Sequence, residues 1–403
     1  MRKWKTLCYL LAFCLLLGGC QLPFTLNSGN TYSATKYIQE FKNNWQYNTL
    51  SETEKEYYGQ LYTAVTDTKE VNATVTYTED GTQQKELMGV RVTFPRAAMT
   101  QAEITRIFEA FYRDNPQFFY LDRVYRMEGR HTPTGQESYD TILLQYTMDA
   151  KKRQAATRTF ESAIDSLLQD IPESEDDYVV EKYIHDRLAA LCVYDEKAAA
   201  TDAENYPDSY TAYGALVEGK AVCEGYAKAF QLLLHQVSIP ATVVLGTSLR
   251  NTEGHMWNLV TINGENYFVD PTWNDIQDRT QYTFFNLTTE MMAPTHTIDG
   301  GQKAVATCTA TADNYFVRNK TYIETYSRDT IAKRIAMRIN AGDTVIQLKF
   351  EKSKFSNGLL FLKNRSLLER LTAPYLEDDN TLWEYELFSN PDQCVLSLFK
   401  TNT

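Results

Sequence analysis

The stretch GHMWNLVTINGENYFVDPTW, residues 254–273, leaves the chain little conformational choice. Two apolar, β-prone runs flank Asn263-Gly264. That dipeptide favours the positive φ angles of a type I′ turn, so the segment reads as a hairpin with strands over 255–262 and 265–270. Ile262 then pairs with Glu265, and the same register sets Trp257 opposite Asp270. Side chains alternate along a strand, so His255 shares the face of Trp257 and becomes the diagonal neighbour of Asp270. A three-residue loop would shift the register by one and put the two on opposite faces.

A second stretch lies upstream: GKAVCEGYAKAF, residues 219–230. Tyr226, Phe230, Leu233 and Val237 fall near helical spacing, and the helix must end before Pro240. Cys223 therefore sits at or just before a helix N-terminus. Exposed backbone N–H groups and the positive end of the helix dipole favour thiolate there, and thiolate is the form that attacks carbonyl carbon. A cysteine at a helix start is commonly an inert buried residue, and a histidine alone says no more. In the chain order Cys223, His255, Asp270, however, the three supply a nucleophile, a base and a group to orient the base.

The blocks AYGALVEGKAVCEGYAKAF, HMWNLV and YFVDPTW, in this order, resemble the transglutaminase-like superfamily, which groups with the papain-like thiol enzymes. The resemblance covers about residues 175–290. It implies an α+β fold in which the helix carrying Cys223 packs on an antiparallel sheet, and it implies catalytic roles for Cys223, His255 and Asp270. Tyr213, Tyr226 and Trp257 are candidates to wall a substrate groove. Tyr213 is also a candidate oxyanion donor, beside the backbone N–H of Cys223. Trp257 and Trp273 also read as hairpin packing, Asn258 should point away from the triad face, and His185 reads as a helix-packing residue.

The chain begins MRKWKTLCYLLAFCLLLGGCQ, with Arg2, Lys3 and Lys5 ahead of an apolar run over residues 7–17. That is the pattern of a secretory signal. The run is too short for a membrane span, which needs roughly 20 residues. Leu17-Gly18-Gly19-Cys20 resembles the lipobox of bacterial lipoproteins, so residues 1–19 are expected to be removed and Cys20 to carry lipid on the extracytoplasmic face of the cell membrane. Residues 20–35 then form a short polar tether. The chain has 52 acidic against 40 basic residues, and losing the leader makes it more acidic still, which argues against a nucleic-acid partner.

A length of 403 residues suggests more than one domain. Residues 36–172 read as a mixed α/β unit, with capping boxes at Ser51/Glu54 and Thr100/Glu103 opening two helices and strand-like runs at NATVTYT, FFYLDRVYRM and TILLQYTM. Residues 173–296 form the transglutaminase-like unit, opening with an acidic-capped helix to about Leu191. Residues 297–403 form a last α/β unit with a helix near 328–340 and a strand at 344–350. Among the cysteines after the leader, Cys192, Cys308 and Cys394 lack zinc-motif spacing, and a Cys308–Cys394 disulfide is one option. No HExxH, paired CxxC or EF-hand loop occurs, so neither a metal nor an organic cofactor is expected. The sequence thus points to a thiol enzyme that attacks amide carbonyls of proteins or peptides at the cell surface or in the cell wall through a thioester, with hydrolysis preferred to amine cross-linking. The alternative is a non-catalytic surface module presenting a groove to protein or glycan.

Overall fold

The computed structural model describes residues 44–401 apart from 68–73, 80–82, 95–98, 132–136, 202–204, 277–278, 303–304 and 378–380. The expected signal, Cys20 and the 20–35 tether lie outside the described residues. Each of the two expected capping boxes opens a helix. Ser51 N donates to Glu54 Oε2 at 2.8 Å ahead of the helix Glu52–Thr66, and Thr100 N donates to Glu103 Oε2 at 2.8 Å ahead of Gln101–Asp114. These helices pack on an antiparallel sheet of β1 (Thr74–Glu79), β2 (Gln83–Thr93), β3 (Leu121–His131) and β4 (Glu137–Tyr146), in the order β1-β2-β4-β3. A further helix, Ala150–Leu168, was not legible in the sequence. Two of its buried positions are Arg153 and Thr157, which break the apolar stripe that marks a helix face.

The central unit starts with the helix Asp177–Leu191 and a two-residue parallel pairing of β5 (Val193–Tyr194) with β6 (Lys220–Ala221). The helix Cys223–Gln236 follows. It packs on an antiparallel sheet of β7 (Ala241–Ser248), β8 (Gly254–Ile262) and β9 (Glu265–Val269), with His296–Ile298 as the edge strand beside β7. The hairpin has the register read from its turn: Ile262 pairs with Glu265 and Asn258 with Val269, and Asn263 and Gly264 take φ of 50° and 87°. The last sheet orders Tyr322–Ile323, Val345–Phe350, Val395–Lys400 and Tyr385–Asn390, with the helix Arg328–Asn340 on it.

Three expectations need correction. The break at 172 does not separate two cores, because Phe111, Phe118, Phe119 and Phe160 join Phe230, Leu233, Val260 and Tyr267 in one continuous apolar cluster. The break at 296 falls too early: His296 pairs with Ser248 in the central sheet, and Tyr315 and Phe316 pack into the same large cluster. The Cys308–Cys394 disulfide is not formed. All four described cysteines are free; Cys308 is buried beside Trp257 and Phe284, whereas Cys394 lies in the turn before the strand Val395–Lys400.

Candidate active site

The backbone brings Cys223 to the start of its helix through a tight approach. Gly219 takes φ of 66°, Val222 is extended at the N-cap, and Val222 N donates to Ser209 O at 2.9 Å. Gly225 lets the Ser209–Thr211 loop lie against the helix: a Cβ there would sit 2.7 Å from Ser209 O and 2.9 Å from Thr211 O. Cys223 is half-buried as the first helical residue, where backbone N–H groups have no intrahelical partner. Asn258, on the opposite alternation from His255, donates from Nδ2 to Ala227 O at 2.9 Å and ties β8 to this helix.

His255 lies near the start of β8 and Asp270 just past the end of β9. Their side chains meet, with His255 Nε2 2.8 Å from Asp270 Oδ2. Asp270 occupies Nε2, so Nδ1 is the ring nitrogen left for the thiol, and Cys223 is close enough to His255 to add to the charge that raises its pKa. Asp270 is fully buried and caps the short helix Pro271–Asn274, accepting from Trp273 N at 3.1 Å on its other oxygen. Burial alone would lower the pKa of His255, but the charge and hydrogen bond of Asp270 and those of Cys223 outweigh it and raise it to about 10. Burial would likewise raise Asp270, yet His255 and then His296 hold it well below the usual carboxylate range.

His296 was missed by sequence reasoning. Its Nε2 lies 3.1 Å from the same Asp270 oxygen, and its Nδ1 lies 2.8 Å from Thr295 Oγ1. The segment around it shows no periodicity because its strand has three residues, too few for alternation to register. His255, Asp270 and His296 present donor atoms within 4.8 Å of one another, a set that could in principle hold a cation. Here three of the four imidazole nitrogens of His255 and His296 already have a hydrogen-bonding partner in Asp270 or Thr295, so proton sharing accounts for the geometry.

The expected groove does not form from the residues named for it. Tyr226 is fully buried, with its hydroxyl donating to Asp275 Oδ2 at 2.5 Å, and Trp257 is fully buried against His255 and His296. Their bulk is used to fill the core behind the site. Tyr213 is half-buried and stacks on Phe119 with ring centroids 4.7 Å apart. Tyr194, 42% exposed on β5, has its pKa raised first by burial and then by the charge of Cys223. No motif marks it, since β5 is two residues long. His185 is buried between Phe230 and Phe285 and bonds Asn274, a packing position away from the thiol.

Among solved structures the chain is similar to a TGase (13% identity, TM-score 0.28), covering 53% of this chain and 58% of that one. It is also similar to a candidate cysteine protease from Cytophaga hutchinsonii (15%, 0.24, covering 38% and 63%) and a candidate protease from Parabacteroides distasonis (9%, 0.22, covering 49% and 35%). The chain thus spans less than two thirds of the length of each. No relative is found among curated proteins. Residues 165–271 match the family model of the Transglutaminase-like superfamily, a span that ends just past Asp270, and the fold of the central unit is transglutaminase-like.

Proposed function

We propose that this protein is a lipid-anchored thiol enzyme of the extracytoplasmic membrane face that cleaves amide bonds of proteins or peptides at the cell surface or in the cell wall. One observation carries the chemistry: His255 bonds Asp270 through Nε2 at 2.8 Å, which leaves its Nδ1 for Cys223, the first residue of its helix. Cys223 thiolate adds to the carbonyl carbon, and the oxyanion forms within reach of the unpaired N–H of Cys223 itself. The His255 imidazolium gives its Nδ1 proton to the leaving nitrogen as the C–N bond breaks, and the acyl group remains as a thioester. Water then gives a proton to His255 and its oxygen to the thioester carbonyl. The C–S bond breaks, the acid leaves, and the thiolate–imidazolium pair is restored.

The second nucleophile is assigned as water. An amine outcompetes water only if held at high effective molarity, on the order of 10⁵ M for a well-oriented pair. Such a pocket needs apolar walls beside the thioester, and the burial of Tyr226 and Trp257 in the core removes two of the candidate walls, which supports hydrolysis. A peptide and amine library presented to wild type and Cys223→Ala tests the reading. Acid products made only by wild type are expected at millimolar amine. A pool dominated by amine adduct would overturn the hydrolytic assignment, and turnover by Cys223→Ala would overturn the thiol mechanism.

A further inference from the structure

Asp270 Oδ2 receives two imidazoles, His255 at 2.8 Å and His296 at 3.1 Å, and the second is the end of a longer chain. Thr295 Oγ1 lies 2.8 Å from His296 Nδ1, and Gln393 Nε2 donates to Thr295 Oγ1 at 3.2 Å. Gln393 belongs to the last sheet, between the strands Tyr385–Asn390 and Val395–Lys400, and its carbonyl accepts from Lys349 Nζ at 2.8 Å. Gln393, Thr295, His296 and Asp270 are each at most 4% exposed, so water does not interrupt the chain. We propose that His296 is a positioning residue for the triad and that the C-terminal unit sets it through Gln393.

The proton count gives the chain its direction. A neutral His296 can donate to Asp270 only with its proton on Nε2, which leaves Nδ1 to accept from the Thr295 hydroxyl. The Thr295 hydroxyl has two acceptors in reach, Met292 O at 3.2 Å and His296 Nδ1 at 2.8 Å; the shorter contact takes its proton, while Gln393 fills one of its lone pairs at 3.2 Å. Asp270 is then gripped by three donors, His255 and His296 on Oδ2 and Trp273 N on Oδ1, and presents one fixed oxygen to His255. The charged or titratable groups facing His296 are Asp270, His255 and Arg250, and the rings of Trp257, Trp273 and Phe284 pack around it. Arg250 stacks on Trp273 at 4.6 Å and is bound by Asp392 at 3.1 Å and Asn390 at 3.2 Å, so the turn that supplies Gln393 holds the back of the site at a second point.

The inference rests on the thiolate–imidazolium reading of Cys223 and His255, and its test needs no substrate. Alkylation of each cysteine by iodoacetamide, resolved by peptide mass, is followed across the titration range of His255 in the full chain. His296→Phe is expected to slow Cys223 at neutral pH by about tenfold and to change its pH profile, as loss of an orienting partner does elsewhere. His296→Gln, whose side-chain amide supplies an N–H in place of Nε2, should recover most of the rate. Gln393→Ala should fall between and add nothing on top of His296→Phe. Arg279→Ala, which removes the contact between the C-terminal unit and the central one at Glu386, should leave the profile unchanged. A folded His296→Phe with the wild-type rate and profile, or Arg279→Ala as damaging as Gln393→Ala, would overturn the proposal. Wild-type Cys223 reacting no faster than Cys394 would overturn the triad reading together with it.

Discussion

At His255, burial pulls against the charges of Asp270 and Cys223, and the charges win, taking its pKa from 6.5 to about 10. A raised folded pKa means the folded state binds the proton more tightly, so the stabilisation is complete below pH 6.5 and is lost as pH climbs towards about 10. Asp270 has the opposite sign: its lowered pKa contributes above the ordinary carboxylate range and is lost on acidification. Thermal midpoints should therefore decline between pH 6.5 and about 10, and His255→Gln should flatten that decline. An unaltered slope in the variant would show that the pair is not formed. Cys223→Ala and His255→Ala should each abolish turnover, with Asp270→Asn less damaging because it removes orientation and charge but not a reacting group. The residues at the turn and helix start were legible because each obeys a local rule. Trp257 packs inward as its hairpin reading has it, whereas Tyr226, a candidate groove wall, is also turned into the core, because sequence gives an aromatic no direction.

Among the elements, the hairpin and the helix start carry most of the site. Asn263 fixes more than its turn, since its Oδ1 accepts from Asp177 N at 3.2 Å and its Nδ2 donates to Asp176 Oδ1 at 3.0 Å, tying the hairpin to the start of the helix Asp177–Leu191. One residue inserted after Gly264 should flip the β9 faces and separate His255 from Asp270, and so abolish Cys223-dependent turnover. Gly225→Ala sets a methyl 2.7 Å from both Ala221 Cβ and Ser209 O, which the loop must yield to. A cost of about 1–3 kcal/mol in denaturant unfolding is expected for that overpacking, with slower Cys223 alkylation. A variant as stable and reactive as wild type would show that the loop does not support the helix start. Capped helices and the long hairpin could be read from sequence because their signals are local. The helix Ala150–Leu168 and the edge strand His296–Ile298 could not, one because polar residues occupy its buried face and the other because it is too short for a period.

Over the whole molecule, the N-terminal and central units share one apolar core while the C-terminal unit has its own, centred on Ile331, Ile335, Leu348 and Leu398. The C-terminal unit nonetheless reaches the triad through Gln393, a link that no sequence pattern announces because Gln393 lies 123 residues from Asp270 in the chain. The basic and apolar leader and the Leu17–Cys20 motif are the basis of the proposed location, and Cys20→Ser should move the protein from the membrane fraction to the medium or leave it uncleaved. Unchanged attachment with normal processing would contradict that anchor. The central claim, that Cys223 is a nucleophile armed by His255, is most directly tested by site-resolved alkylation of the folded protein at neutral pH. Burial pushes Cys192 and Cys308 up to about 12 and raises Cys394 as well. An ordinary thiol is only a few per cent thiolate at pH 7, so an armed Cys223 should react at least about tenfold faster than the other three and lose that lead in His255→Ala. Equal, slow labelling of all four cysteines, or a lead that survives His255→Ala, would contradict the account.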